Sequence, residues 1–254
     1  MKQAVIITSA GLSTRFSESI GHEVFKILYT EHPDQKCILA LQLDLLYELN
    51  VTDIILVGGN MYDELSVFIE KKYPEANIKL IFNEHFHDMG TAHSLALGIE
   101  ALEKDYDQII FMEGDLFFDL SSFKALLEYP EDVISISPGP IVADKSVAFY
   151  LTVSGNIHYI YDSSHQWLEV SEPFKMIANS GQVWKFSQQK KLKEITTALT
   201  PSKRAGSNLN IISAYFQNIE VSGIKYIEFR QWFNCNTIND YREITTYSSS
   251  LSLK

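Results

Sequence analysis

Four short apolar runs constrain the fold more than any other feature of this chain. They lie at 4–8, 53–57, 78–82 and 109–112, and each is bounded by small or polar residues. Runs of this length, rich in Ile, Val and Leu without polar alternation, are what strands buried on both faces require. Between them the spacing changes to that of helices. Ile38, Leu39, Leu41, Leu45, Leu46 and Leu49 recur within 36–49, closed by Asn50. Tyr62, Leu65, Phe68 and Ile69 recur before Pro74, and Leu95, Ala96, Ile99 and Leu102 recur within 92–102, where Thr91 is placed to cap. Strands alternating with helices predict a parallel sheet joined by right-handed crossovers.

From Asp132 the pattern differs. Strand-like segments at 133–137, 147–153 and 157–161 are joined by short turns, including Ser154-Gly155-Asn156, which reads as a hairpin. A further strand is expected at 183–186, helices at 187–199 and 208–216 with Pro201 between them, and a last strand at 225–229. A closing helix begins at Asn239 and frays into the Ser-rich tail. The predicted class is therefore α/β: a Rossmann-like, mixed, mostly parallel sheet flanked by helices, with antiparallel additions in the C-terminal half. No repeat or linker divides the 254 residues, so one domain spanning 1–254 is expected.

Composition removes several classes of function. A formal net charge of −11 argues against a nucleic-acid polymer as partner, because such an interface needs a basic face. It leaves a nucleotide open, since a small anion needs only local cations and backbone donors. Apolar runs fall short of the roughly 20 residues that span a bilayer, and the N-terminus enters a strand with no leader pattern, so a soluble cytoplasmic protein is expected. Cys37 and Cys235 are too few for a disulfide framework or a structural zinc site and read as small core residues.

Chemistry concentrates where strands end. After the first strand come Ser9, Ala10, Gly11, Leu12, Ser13, Thr14 and Arg15. Small residues let the backbone turn and approach a ligand, and their N–H groups can cradle an anion, while Arg15 and the following Lys26 supply cations. No Gly-Lys-Ser/Thr closes the turn, so it is not a P-loop, and the second and third glycines of a dinucleotide fingerprint are missing. The plain alternative is an ordinary strand-to-loop turn. At the end of the fourth strand stand Glu113, Gly114 and Asp115. Parallel α/β sheets bind ligands beyond the carboxyl ends of their strands, so the Gly11 turn and Asp115 are expected to share one crevice.

These landmarks resemble those of the nucleotidyltransferase superfamily that activates sugar phosphates and alcohol phosphates. SAGLSTRF at 9–16 resembles its AAG-x-G-x-R-F/M loop, and Lys26 in VFKIL resembles the lysine of the PK element that follows. Glu113-Gly114-Asp115 is similar to its GD strand end, and GTAHSL at 90–95 to the GTA element that lies against the base in uridylyltransferases for N-acetylglucosamine 1-phosphate. NSGQVWKF at 179–186 resembles the strand that lines the acceptor pocket, and NCNTINDY at 234–241 the NINTPEDL or DTPEDL element. The resemblance covers most of the chain. Residues 1–130 would form the nucleotide-binding half and 131–254 the acceptor-binding half.

The resemblance implies Mg2+-dependent attack by an acceptor phosphate on the α-phosphorus of a nucleoside triphosphate, with pyrophosphate leaving. Catalysis is then alignment and charge neutralisation, without a protein base. Arg15, Lys26 and Asp115 become the catalytic set, with Asp115 and Asn236 as Mg2+ ligands and Asn234 or Asp240 in reserve. Ser9, Ala10, Gly11, Leu12, Ser13, Gly90, Thr91, Ala92 and Gly114 would bind the nucleotide; Glu172, Lys175, Gly181, Trp184 and Lys185 would meet a small phosphorylated acceptor. A likeness to phosphocholine-type cytidylyltransferases favours CTP, and the GTA element favours UTP. Trp167, Trp184 and Trp232 could cage a quaternary ammonium, although strand aromatics are commonly core. His93 reads as packed or surface, and His85 with His87 as surface. Ser13 stands where the family has a second glycine, Phe25 where it has proline, and SEPFK at 171–175 lacks the lysine of the EKP element, for which Lys175 or Lys185 is the candidate substitute. These departures motivate a second reading, a nucleotide-binding module without turnover. A third, an NAD(P) or S-adenosylmethionine enzyme, has only the strand-turn-helix opening behind it.

Overall fold

The computed structural model describes residues 1–143, 146–161 and 166–251. In chain order the elements are β1 Gln3–Ser9, α1 Thr14–Ile20, α2 Ile38–Glu48, β2 Asp53–Gly58, α3 Tyr62–Lys72, β3 Ile78–Phe82, α4 Thr91–Glu100, β4 Gln108–Glu113, β5 Leu116–Phe118 and α5 Leu120–Glu128. They continue with β6 Asp132–Ile136, β7 Ala148–Thr152, β8 Ile157–Ile160, β9 Phe174–Phe186, α6 Gln189–Thr197, α7 Pro201–Arg204, α8 Leu209–Phe216, β10 Ile224–Glu228, β11 Trp232–Asn234 and α9 Ile238–Leu251. The closing helix runs on through Ser248, Ser249 and Ser250, where fraying was expected, and residues 252–254 lie outside the described residues.

The sheet runs β10-β6-β9-β4-β1-β2-β3, with β7 and β8 added along β9. β4, β1, β2 and β3 are mutually parallel, as the strand–helix alternation requires. β9 enters antiparallel between β4 and β6, while β6 and β10 are parallel to one another. Strands from both sides of residue 130 thus share one sheet. Alternation along β1 shows why its run is unbroken: Val5 and Ile7 pack under α2, α3 and α5, and Ala4 and Ile6 pack under α4, α6 and α8. A smaller cluster of Phe16, Ile38, Phe117, Cys235, Tyr241 and Ile244 fixes α1 and α9 to β5. Among the described residues no helix is long and apolar enough to cross a membrane.

Several elements differ from the sequence expectation. β9 is 13 residues long, although the sequence pattern places a strand only at its last four residues, Val183 to Phe186. Its N-terminal part pairs with β7 and its C-terminal part with β4 and β6, and the switch is made at a bulge where Gln182 takes φ +53°. α5 was not foreseen; Asp119 caps it, accepting from the Ser122 N–H at 2.8 Å. The short antiparallel pair of β5 with β11 was also not foreseen, because three residues carry no periodicity.

Candidate active site

β1 and β4 are adjacent and parallel, so their carboxyl ends open on the same side. The turn after β1 and the acidic end of β4 consequently line one cavity of about 180 Å3. Of the residues expected there, Ser9, Ala10, Gly11, Ser13, Lys26, Gly90, Thr91 and Asp115 contribute to its wall. A second cavity of about 270 Å3 shares Thr91, Glu113 and Asp115 with it and adds Arg15, Asn234 and Asn236. A third, of about 650 Å3, shares Arg15, Asn234 and Asn236 with the second and extends past Trp232 and Asn179. Together they form one cleft with Asp115 near its middle.

The turn has the geometry of an anion cradle. A Cβ on Gly11 would meet nothing within 4 Å. Among the described contacts, the N–H groups of Gly11, Leu12 and Ser13 find no acceptor. Ser13 takes the left-handed conformation, φ +56°, and its carbonyl accepts from the Ser17 N–H at 2.9 Å to start α1. The serine therefore adopts the backbone state for which glycine is the usual residue, which preserves the turn despite the substitution. Its hydroxyl accepts from the Lys26 N–H at 3.4 Å.

Lys26 and Asp115 form an ion pair, Nζ to Oδ2 2.6 Å, with side chains 14% and 18% exposed. The other oxygen, Oδ1, is buried without a hydrogen-bond partner. Arg15 reaches across the cleft and donates Nη2 to Oδ1 of Asn236 at 2.8 Å. Asn236 in turn donates to Asn234 Oδ1 at 2.9 Å, and the Cys235 N–H donates to the Asp115 carbonyl at 2.8 Å, which holds that loop against the end of β4. Desolvation, and then the Asp115 carboxylate beside it, push Glu113 up to about 7, against the Asn208 amide that bonds it at 2.7 Å.

The N-terminus of α4 is closed by the turn after α7. Gly90 N–H donates to Ala205 O at 2.9 Å, Ala92 N–H to Gly206 O at 3.0 Å, and the Thr91 hydroxyl accepts from the Asn208 N–H at 2.9 Å. Ala92, expected at the nucleotide, is fully buried with its N–H engaged and lines none of the three cavities. Gly90 is glycine because a Cβ would lie 2.6 Å from Ala205 O and closer still to Gly206 O.

Other expected residues are also redirected. Leu12 is exposed and is not in the wall of the cavity that its turn forms. Gly114 serves close packing of β4 on β1, where a Cβ would meet Ser9 Cβ at 2.9 Å. Lys185 cannot substitute for the missing family lysine: it is fully buried, and its ammonium donates to Leu126 O and Tyr129 O at the end of α5. Its neighbour Trp184 points to the other face, stacked on Phe111 at 5.4 Å and bonded to the Tyr159 hydroxyl, with only its edge at the cleft. Lys175 and Glu172 line none of the three cavities, and Glu172 faces His158 at 3.2 Å. Gly181 acts through its carbonyl, which accepts from Trp232 Nε1 at 2.7 Å. Trp167 is exposed and Trp184 is core, so the three tryptophans do not converge into a cage. Asp240 is a helix-start residue: its Oδ2 accepts from the N–H groups of Asn236 and Thr237, a capping box that opens α9. His93 packs against Arg204 Nε at 3.0 Å; burial, and then the charge of Arg204, hold it below its ordinary range.

Sequence reasoning missed Gln42, Asn83 and Asn208, and gave Glu113 no role of its own within its motif. Asn83 is buried on the wall of the first cavity, bonded to Ser94 Oγ at 3.0 Å. Gln42, Asn83 and Asn208 stand in no short motif, and only contacts across 11 to 95 residues reveal them.

Asp115 meets the test for a divalent cation. A buried carboxylate oxygen with no donor is costly unless something positive or hydrogen-bonding fills the place. Asn236 Oδ1 is committed to Arg15 here and would join only after that bond opens. Among the described residues no cluster of three or more His, Cys, Asp or Glu is found; Mg2+ keeps waters and takes one or two protein oxygens beside phosphates, so a single carboxylate fits its needs.

The choline-phosphate cytidylyltransferase of Streptococcus pneumoniae (strain ATCC BAA-255 / R6) is 28% identical over 101 residues, a stretch of 40% of this chain and 41% of that protein. The aligned stretch thus spans less than half the length of that relative. The solved CTP:phosphocholine cytidylyltransferase from Streptococcus pneumoniae superposes with a TM-score of 0.66 at 18% identity, over 97% of this chain and 99% of the other. The inositol-1-phosphate CTP transferase from T. maritima gives 0.68 at 15% identity, over 94% and 91%. These likenesses show the fold: the sheet described above is the nucleotidyltransferase fold, and the proteins this chain is similar to are nucleotidyltransferases. The family described as "Domain of unknown function (DUF6564)" matches residues 22–248, and the chain belongs to that family.

Proposed function

We propose that this protein is an Mg2+-dependent nucleotidyltransferase that joins a nucleoside triphosphate, CTP in preference to UTP, to a small phosphorylated acceptor and releases pyrophosphate. One observation carries the reading: Ser9, Ala10, Gly11 and Ser13 of the open turn line a single cavity with Lys26 and with Asp115, whose Oδ1 is buried and unpartnered. In this reading the free N–H groups of Gly11, Leu12 and Ser13 bind the β- and γ-phosphates. Lys26 leaves Asp115 to neutralise the departing pyrophosphate, and Arg15 leaves Asn236 to do the same. Mg2+ bound at Asp115 would supply charge neutralisation on the phosphoryl oxygens. The acceptor phosphate is itself the nucleophile, so this chemistry needs no positioned general base.

CTP is favoured because two of the similar proteins carry CTP or cytidylyl in their names. The acceptor would occupy the cavity of about 650 Å3. Its wall holds Ser137, Gln182 and Asn179, whose Oδ1 is buried and unpartnered and so seeks a donor. A hydroxylated acceptor, a sugar or polyol phosphate, supplies that donor; a quaternary ammonium does not. We therefore rank these above a choline-like phosphate. Among the described residues the cleft's wall contributes two cations, Arg15 and Lys26; the second reading, carried by the departures at Ser13, Phe25 and the EKP element, is a module that binds nucleotide without turnover.

The test is pyrophosphate release with each NTP, Mg2+, and a panel of sugar, polyol and alcohol phosphates. Turnover with CTP and a hydroxylated acceptor is the expected result. Nucleotide-induced thermal stabilisation with no release across the panel supports the binding module. Neither binding nor release would refute both.

A further inference from the structure

Gln42 lies on α2, outside every motif of the site, and is buried to 2% exposure. Its Nε2 donates twice, to Glu113 O at 3.0 Å and to Leu116 O at 2.7 Å. Those two carbonyls bracket Asp115. Main-chain bonds hold the rest of the turn: Gly114 N–H donates to Thr8 O at 2.8 Å, and the Asp115 carbonyl accepts from Cys235 N–H at 2.8 Å. Among the described contacts, Gln42 is the side chain that fixes the turn's backbone from 113 to 116. A glutamine amide has two N–H donors, and both carbonyls lie on the same side of the helix that carries it. Without it, two buried carbonyls would lack donors, and the turn would relax toward others.

We infer that Gln42 is the positioning residue for Asp115, holding its carboxylate at the wall of the triphosphate cavity. This rests on the functional reading above. Groups that orient a metal-binding side chain from behind typically change affinity 10–100-fold when removed. Gln42 lines none of the three cavities, so its loss acts through the turn that carries Asp115. The effect must then appear in metal-dependent binding and not in binding of the nucleotide without metal.

The experiment compares wild type with Gln42→Met, which keeps the length and removes the donors. The affinity for Mn2+–CTP, read by water-proton relaxation, is set beside the affinity for CTP in EDTA. The expected result is a Mn2+–CTP affinity weakened about 10–100-fold, with metal-free CTP binding unchanged. Gln42→Asn, which keeps the amide but falls a methylene short, is read alongside and also serves if the Met variant does not fold; it is expected to lose part of the same increment. Equal weakening of both affinities, or no change in either, overturns the inference and leaves Gln42 a structural residue. If Mn2+ does not raise wild-type affinity for CTP, the metal reading of Asp115 falls, and the inference falls with it. If neither CTP nor UTP binds with or without Mn2+, the functional reading itself is refuted, a result distinct from a bound nucleotide that ignores Gln42.

Discussion

Gly90→Ala tests how the turn after α7 closes the head of α4. The new methyl would lie 2.6 Å from Ala205 O and closer to Gly206 O, both main-chain atoms that cannot rotate away. The segment 205–206 must move, and two hydrogen bonds stretch with it, from Gly90 N–H at 2.9 Å and from Ala92 N–H at 3.0 Å. Each is worth about 1 kcal/mol net, and overpacking adds about 1–3 kcal/mol, so about 3 kcal/mol of stability is lost. For a chain of this size each kcal/mol moves Tm by about 2–4 °C, which predicts a fall of about 6–12 °C. Displacement also carries Asn208 away from Glu113, whose bond of 2.7 Å ties this turn to the end of β4. Differential scanning calorimetry of the ligand-free protein measures the fall. A Tm within about 2 °C of wild type would refute the steric argument, since it would mean that the turn yields at no cost.

Gly11→Ala is the complement: no atom lies within 4 Å of the added methyl, so Tm stays within error while nucleotide affinity, measured by calorimetric titration, falls because the methyl enters the cradle. Asp115→Asn keeps the shape of the turn but removes the charge that pairs with Lys26; pyrophosphate release is expected to fall at least about 100-fold with native circular dichroism, and turnover near wild type would remove the metal assignment. Asp119→Ala leaves the N–H groups of Ser122 and Gln231 without acceptors, while that of Arg230 keeps only Ser122 Oγ, and costs about 1–2 kcal/mol in denaturant unfolding. Burial works to raise the Asp119 carboxyl, but the hydrogen bonds from Ser121, Gln231 and Ser122 outweigh it and hold it below its ordinary value, so its stabilisation is present above pH 4 and is lost as the pH falls through the lowered value. The Asp119→Ala variant should therefore approach wild-type stability in acid, and a stability difference that stays constant below pH 4 would contradict the assignment.

The sequence by itself determined the parallel half of the sheet and the place of the site. Runs such as Ala4 to Ile7 must bury both faces, and a parallel sheet puts the ends of β1 and β4 on one side, so Gly11 and Asp115 had to be neighbours. Local chemistry was equally legible in the turn at 9–13 and in the apolar spacing of α2 and α4, because both depend on residues within one or two turns of chain. What only the tertiary structure decided are the pairings made across long separations. Trp184 and Lys185 are adjacent in a strand, and alternation sends one to the cleft face and the other to cap α5; which face is which follows from β9 lying between β4 and β6. The polar first part of β9 became a strand because β7 supplied its hydrogen-bond partners, a demand that no local propensity expresses. Gln42, Asn208 and Lys26 took their roles from the buried carbonyls and carboxylates they met, 71, 95 and 89 residues away, since a polar group in the interior is placed by the partner that satisfies it.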